Sequence, residues 1–299
     1  MNSVQPDPRL TVLYPENWID YQLVDSGNGQ KLERYGPYLF IRPEPQAMWS
    51  PTLAEDAWSS AHAEFQPSRE ESGGHWLKHK PVEESWIMRF NELSFRAQLT
   101  AGRHLGVFPE QAPHWEWIKR AIHGAQRDSH VLNLFGYTGI ATLAAAHAGA
   151  RVTHVDASKK SVSWARENQS LSGLSERPIR WIVDDALKFV QREARRQAVY
   201  DGIILDPPKF GRGPKGEVWE FFDLFPYLLQ ACRAVLSPRP LFIVVTAYAI
   251  RASASSLYYS LQEMVSPLGG RLTAGELTLT ESSAGRMIST AIFARWEAE

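Results

Sequence analysis

The chain has 299 residues, 44% apolar and 22% charged, with 32 basic and 33 acidic side chains for a formal charge of −1. That length suits one large domain or two unequal ones, and the balance excludes a histone-like basic protein and a long disordered acidic chain. One cysteine, Cys232, excludes an internal disulfide framework and any thiolate-built metal centre.

The opening stretch MNSVQPDPRL has no basic region leading into an apolar run, and no segment reaches about 18 consecutive apolar residues. The expected address is therefore the cytoplasm, with no membrane partner. Trp18 to Val24 leads into the turn cluster Asp25-Ser26-Gly27-Asn28-Gly29, and Lys31 to Arg42 reads as strands broken at Gly36-Pro37. Pro43, Pro45 and the Pro67–Gly74 stretch mark loops. Trp86 to Leu99 alternates around Asn91-Glu92 as a hairpin would. This first part is β-rich, holds seven of the 11 tryptophans up to Trp117, and carries 15 acidic and 10 basic residues over 1–112. Its aromatics read as a core.

The rhythm then changes. Val131 to Phe135 reads as a strand, Gly139 to His147 as an Ala-rich helix, and Arg151 to Val155 as a strand ending at Asp156. Ser158 N-caps a helix running to Leu171. Ile179 to Val183, Gly202 to Leu205 and Leu241 to Thr246 are strands; Ala186 to Arg196, Trp219 to Leu236 and Ser253 to Val265 are helices. Alternation of this kind predicts an α/β fold with a doubly wound, mostly parallel sheet. Arg271 to Thr280 and Met287 to Trp296 have no helix between them and predict an antiparallel hairpin closing the sheet edge.

In such a sheet, ligands lie beyond the carboxyl ends of the strands. The first strand end continues as Asn133-Leu134-Phe135-Gly136-Tyr137-Thr138-Gly139, whose glycines let backbone turn sharply and approach a ligand. The second reaches Asp156-Ala157-Ser158, with a carboxylate able to accept both hydroxyls of a ribose. The third reaches Asp184-Asp185-Ala186, suited to an exocyclic amine, and the fourth Asp206-Pro207-Pro208-Lys209-Phe210. Asp156 or Asp185 alone reads equally well as a carboxylate favoured by a helix N-terminus; the four ends together favour a ligand. There is neither a dinucleotide G-x-G-x-x-G nor a P-loop lysine. S-adenosylmethionine carries no phosphate and needs neither. Consecutive prolines let the Asp206 carboxylate and Pro207 carbonyl accept from one nitrogen and aim its lone pair, which suits methyl transfer.

The segments VLNLFGYTG, VTHVDASKKSVSWARENQSLSGL, WIVDDALKFV and YDGIILDPPKFGRG resemble the class I S-adenosylmethionine-dependent methyltransferases. More narrowly, they resemble the bacterial large-subunit rRNA methyltransferases that modify cytosine carbon-5 or guanine nitrogen, over about residues 100–250. The resemblance implies a Rossmann-like fold, S-adenosylmethionine as cofactor and an RNA substrate. With the β-rich texture of the first part, this gives an expected division into residues 1–100 as a β-rich accessory domain and 101–299 as the methyltransferase domain, the first part lacking a match to the small RNA-binding module that often opens this family. It also implies that Gly106 to Gln111, with Phe108 and Gln111, floors the cofactor pocket.

The cytosine-modifying members use a thiol after the fifth strand, where this chain reads Val245-Thr246-Ala247-Tyr248-Ala249-Ile250. Cys232 reads as a buried core residue, so covalent addition to a pyrimidine is not expected. Lys209, Arg212 and Lys215, interleaved with glycine and proline, suggest a mobile basic loop for a substrate phosphate. Phe210 stacks on a base or caps the core, and Arg286 is a weak candidate for facing the site. The histidines show no metal spacing, and no metal is assigned. The expected function is methylation of a nucleobase nitrogen in rRNA, with Asp206, Pro207, Lys209 and Phe210 at the acceptor. The alternatives are methylation of a protein or small molecule, a non-catalytic binding module on the same fold and, more distantly, a nicotinamide dehydrogenase.

Overall fold

The computed structural model describes residues 10–68 and 73–299. The readings made of residues 1–9 and of the middle of the Pro67–Gly74 stretch fall outside them. The chain forms two compact units, one of 10–13, Pro113–Leu277 and Thr290–Glu299, the other of Tyr14–Ala112 and Thr278–Ser289. Set against a 100/101 division, residues 101–112 and Thr278–Ser289 join the smaller unit.

Strand β1 (Thr11–Leu13) precedes the smaller unit. There β2 (Tyr21–Gly27), β3 (Gln30–Tyr35), β4 (Tyr38–Pro43), β5 (Ala63–Pro67) and β6 (Gly74–Lys78) form one sheet in that order. β7 (Ser85–Phe90) and β8 (Leu93–Gln98) form a separate hairpin. Asn28, Gly29 and Asn91 have φ of 52°, 76° and 50°, the left-handed region that tight hairpin turns require. β4 and β5 run parallel, joined through helix α1 (Glu55–Ser59). These last elements were not anticipated: β5 alternates over only five residues, and its pairing with Phe40 and Ile41 supplies what its own pattern lacks.

Tyr21, Tyr35, Phe40, Trp86 and Phe95 are buried in this unit. Among them Glu33 accepts from Arg42 Nε at 2.7 Å and Nη2 at 2.9 Å, and from the Tyr21 hydroxyl at 2.8 Å. Burial pushes the Glu33 carboxyl up, but the Arg42 and Lys31 charges and these hydrogen bonds outweigh it and hold it at about 2. Arg286, the candidate for facing the strand-end site, has its partners in the smaller unit. It pairs with Glu281, donates to Thr52 Oγ1 at 2.5 Å and lies over the Trp49 ring, all in the smaller unit.

The larger unit begins with α2 (Ala112–Ala125), also unanticipated although Pro113 sits where the first helical turn tolerates it. Then follow β9 (His130–Leu134), α3 (Ile140–His147), β10 (Arg151–Asp156), α4 (Lys159–Leu171), β11 (Ile179–Val183), α5 (Ala186–Arg195) and β12 (Gly202–Leu205). A hairpin of β13 (Phe210–Arg212) and β14 (Val218–Glu220) leads into α6 (Phe221–Ala234), β15 (Phe242–Ala247), α7 (Ala254–Val265), β16 (Arg271–Thr280) and β17 (Met287–Glu297). The helix expected from Trp219 starts later because Val218–Glu220 pair with Phe210–Arg212.

The eight strands lie in the order β1-β16-β17-β15-β12-β9-β10-β11. The five from β15 to β11 are parallel, and β17 is antiparallel to β15. The terminal hairpin does not close the edge; β1 does, pairing with β16 in parallel. It thereby covers ladder groups that a bare edge would expose. Gly275 permits this, since a Cβ there would stand 1.7 Å from the Thr11 carbonyl oxygen.

Side chains alternate along the central strands. Val131, Val152, Ile204 and Val244 pack with Ile118 and Ile122 of α2 and Ala145 of α3. Leu132, Val155, Ile203, Leu205, Ile243 and Val245 pack with α5, α6 and α7 on the opposite face. Both faces are thus covered, which is why β12 and β15 read as continuous apolar runs. The chain winds from β9 outward to β11, then returns to β12 on the other side of β9, so a crevice opens beyond the ends of β9 and β12. No helix among the described residues is long and apolar enough to cross a membrane.

Arg42→Met is expected to destabilise the chain by about 3–5 kcal/mol in urea unfolding, because it strands the Glu33 charge. The Glu33 carboxyl is depressed from an ordinary 4.5 to about 2, so its contribution is complete above pH 4.5 and is lost as pH falls toward 2. Stability measured against pH is expected to fall over that window, with a shallower fall in Glu33→Gln.

Candidate active site

The loop leaving β9 is strained. Phe135, Tyr137 and Gly139 have φ of 59°, 47° and 83°, and two of them carry bulky side chains. Its conformation is held from several directions. Gly136 N donates to Val155 O at 3.1 Å, Tyr137 N to Asp156 Oδ2 at 2.8 Å and Gly139 N to Gly136 O at 2.9 Å. Asn168 of α4 donates to Thr138 O at 2.9 Å. The close approach that the glycines permit is to protein. A Cβ at Gly136 would stand 2.4 Å from His154 Cε1, and one at Gly139 would stand 2.8 Å from the Ala165 Cβ.

Beneath this loop lies a polar chain. Asn133 Nδ2 donates to Thr142 Oγ1 at 2.9 Å, and Thr142 Oγ1 is 2.9 Å from His154 Nδ1. All three are buried, so the Asn133 carboxamide is engaged under the loop. Burial pulls His154 down to about 3, leaving it neutral at working pH. Burial, aided by the Asp156 charge, pushes the Tyr137 phenol up to about 12.

Asp156 ends β10. Its Oδ1 accepts from Ser158 N and its Oδ2 from Tyr137 N, both at 2.8 Å. Burial raises its pKa, and these two amides oppose that only in part. Each oxygen keeps a second lone-pair direction. Ala157 separates it from Ser158, whose Oγ caps α4 by accepting from Ser161 N at 3.1 Å. At the third strand end, Asp185 Oδ1 caps α5 by accepting from Lys188 N at 2.9 Å, ahead of buried Ala186. Asp184 Oδ1 accepts from Asp185 N at 2.9 Å, and its Oδ2 pairs with Arg192. The helix-capping role thus takes one oxygen of Asp185. Val183 beside them is 40% exposed.

At the fourth strand end, Asp206 N donates to Leu134 O at 3.4 Å, tying β12 to β9. Pro207 is buried. The Trp219 indole donates to Pro208 O at 2.7 Å, and Phe221 N donates to Lys209 O at 3.0 Å. The Lys209–Lys215 stretch is therefore not a free loop. It is part of a hairpin closed by Gly213 N to Glu217 O at 2.8 Å and fastened to α5 by Lys188 to Glu217 at 2.9 Å. Phe210 is 49% exposed, so it does not cap the core. Phe108 and Gln111 belong to the smaller unit, where Gln111 N donates to Phe108 O at 3.1 Å. Cys232 lies buried in α6, and burial pushes its thiol well above the ordinary range.

Sequence reasoning passed over Thr142, His154, Asn168 and Trp219. His154 carried a signal, since it stands two residues before Asp156 and so on the same side of the strand. The Trp219 bond carried none, because it joins residues 11 apart through a hairpin. As a donor set, the strand ends offer carboxylates to a cationic, hydroxyl-bearing ligand, and Arg192 is already paired. A sulfonium nucleoside fits this set: Asp156 keeps lone pairs for a ribose diol.

The sequence matches the family described as S-adenosylmethionine-dependent methyltransferase over residues 46–236. The crystal structure of the S-adenosylmethionine-dependent methyltransferase from Agrobacterium tumefaciens superposes with a TM-score of 0.93 at 49% identity, over 97% of this chain and 94% of that one. Two curated relatives are named ribosomal RNA large subunit methyltransferase K/L. The one from Shewanella sp. (strain ANA-3) is 34% identical over 132 residues, 44% of this chain. The one from Cellvibrio japonicus (strain Ueda107) is 30% identical over 161 residues, 52% of this chain. The matches cover 18% and 20% of those relatives' own length.

Gly136→Ala drives a methyl group into the His154 ring and is expected to lower the unfolding midpoint. His154→Ala removes that ring. In a double-mutant cycle by chemical denaturation, the pair is expected to be less destabilised than the sum of its single changes; strict additivity would show that the contact does not matter.

Proposed function

The chain belongs to the S-adenosylmethionine-dependent methyltransferases, and from that premise we propose that it methylates a nucleobase nitrogen in RNA, ribosomal RNA of the large subunit in particular. The observation that carries this reading is the acceptor platform: Asp206-Pro207 at the crevice between β9 and β12, with Pro208 and Lys209 fastened from behind by Trp219 and Phe221. The bound cofactor supplies a methyl group already activated on a sulfonium sulfur. Asp156 holds the ribose hydroxyls, and the Asp185 oxygen that does not cap α5 accepts the adenine amine. Gly136, Thr138 and Gly139 line the methionine side, with Phe135, Tyr137, Ala157, Ser158, Asp184 and Ala186 shaping the surrounding wall.

The Asp206 carboxylate and the Pro207 carbonyl accept from the substrate N–H groups. They aim the lone pair, and Asp206 takes the proton released as the nitrogen is alkylated. Half-exposed Phe210 stacks on the target base, and Lys209 meets its phosphate. No thiol takes part, because Cys232 is buried in α6 and Thr246-Ala247-Tyr248 stands where one would be needed. The names of the curated relatives support RNA of the large subunit as substrate. A protein or small-molecule acceptor is the second reading, favoured by the acidic balance of residues 1–112, 15 acidic to 10 basic.

Asp206→Ala is expected to bind S-adenosylhomocysteine as the wild type does in calorimetry while losing about 10²–10⁴ in turnover. Asp156→Ala should weaken that binding by about tenfold or more, and Cys232→Ala should keep its turnover. Mass spectrometry of rRNA nucleosides from cells with and without the gene should show one N-methylated nucleoside lost. An unchanged RNA profile would transfer the proposal to the second reading.

A further inference from the structure

One guanidinium of the larger unit has no counter-charge. Arg295 of β17 is half-buried, with its Cζ 4.9 Å from the centre of the Trp117 ring and 5.7 Å from that of Phe293. The rings attract the cation through their π faces. Its guanidinium has neither an ion pair nor a hydrogen-bond acceptor among the described residues. Burial pulls its pKa down to about 10; the Glu297 charge opposes that, and the charges of Arg120 and Arg271 add to it. Arg295 is therefore still charged at working pH.

Arg120 and Arg271 stand beside it. Arg120 lies three residues on from Trp117 along α2, and residues at that spacing share a helix face. Arg271 opens β16, where Thr273, on the same side of the strand, sets its Oγ1 3.5 Å from the Arg295 carbonyl oxygen. Both arginines are exposed, and neither has an ion pair among the described residues. The other groups here supply little negative charge. Lys119 is paired with Glu116 at 3.4 Å. His114, three residues before Trp117, is buried with its ring 5.0 Å from that of Phe293, and neither ring nitrogen has a hydrogen-bond partner. Burial, with the Arg295 charge, holds it at about 3, so it is neutral. Glu297 acts on Arg295 without reaching ion-pair distance.

A partly desolvated cation with no anion beside it is costly, and two like charges raise that cost. An anionic partner removes it. A guanidinium stacked on rings keeps its forked edge open, and that fork bonds two phosphate oxygens at once. Three such groups side by side match a chain that carries one charge at every unit. The cluster also lies near the acceptor platform. Leu205, just before Asp206, is level with Val245, while Arg295 is level with Val244 on the strand beyond. Asp206 and Arg295 are thus about 10 Å apart across two strands and about 7 Å along them, a backbone separation of about 12 Å. A strand at its stacked rise of 3.4 Å covers that in about four nucleotides.

We propose that Arg295, Arg120 and Arg271 form a phosphate-binding surface that grips the RNA backbone about four nucleotides from the base presented to Asp206. This rests on the RNA reading above and adds where the backbone is held.

The test uses the full chain with S-adenosylhomocysteine and large-subunit rRNA transcribed in vitro, by filter binding at several salt concentrations. Arg120→Gln, Arg271→Gln and Arg295→Gln should each reduce the slope of log affinity against log salt by about 0.7–0.9, and the triple change by about 2–3, with S-adenosylhomocysteine affinity unchanged. Arg166→Gln, at an exposed cation of α4, should leave the slope alone. A wild-type slope in both Arg120→Gln and Arg271→Gln would overturn the proposal, even if Arg295→Gln failed to fold. Tighter binding to a 15-residue polyglutamate peptide than to rRNA, lost in the same variants, would overturn it in favour of an acidic protein. The two readings fail separately. A wild type that binds S-adenosylhomocysteine yet transfers no methyl to undermethylated rRNA sinks the RNA reading. One that methylates rRNA with an unchanged RNA KM in the triple variant sinks the phosphate surface alone.

Discussion

The bond from the Tyr137 amide to the Asp156 carboxylate is the contact on which the site depends. The loop after β9 carries three left-handed residues in five, a conformation that does not persist unaided. Asp156 holds it from the neighbouring strand and does so while half-buried, its own charge raised in energy by desolvation. One group thus fixes the shape of the loop and keeps lone pairs for a ligand. Below, the chain Asn133–Thr142–His154 seats the loop from inside the fold, with the neutral His154 ring against Gly136, where a Cβ would stand 2.4 Å from His154 Cε1.

The exit of β12 follows a different physical strategy. Prolines remove backbone donors and fix φ, but they do not by themselves fix where a strand exit points. That is settled by two hydrogen bonds from the following segment, the Trp219 indole to Pro208 and the Phe221 amide to Lys209. The hairpin between them is an anchor as well as a rim. Glu217 ties it to α5 through Lys188, while Lys209, Phe210, Arg212, Lys215 and Glu220 stay exposed.

The smaller unit shows how a β-rich body of modest size tolerates charge in its interior. Glu33 has no exposure, yet Arg42, Lys31 and two tyrosine hydroxyls satisfy it. A buried ion pair of this kind adds little net stability over an apolar equivalent but makes loss of either partner severe. The C-terminal segment Thr278–Ser289 is bound by the same logic, with Asp25, Glu281 and Arg286 linked in one cluster.

What the sequence by itself determined was local. Short apolar runs marked β9, β12 and β15, Ser158 marked the start of α4, and Asn28-Gly29 and Asn91 marked hairpin turns, because each depends on neighbours within a few residues. The four strand ends that carry Gly136 to Gly139, Asp156, Asp185 and Asp206 followed from the order of strands and helices, and the resemblance of the segments around them implied the cofactor class. Tertiary structure decided what lies across space. The glycines face His154 and Ala165, Asp185 caps a helix, β1 takes the sheet edge, and Trp219 leaves its expected helix to hold Pro208. A side chain's partner depends on which distant segment packs against it, and that is set by burial and pairing over the whole fold, to which no local pattern has access.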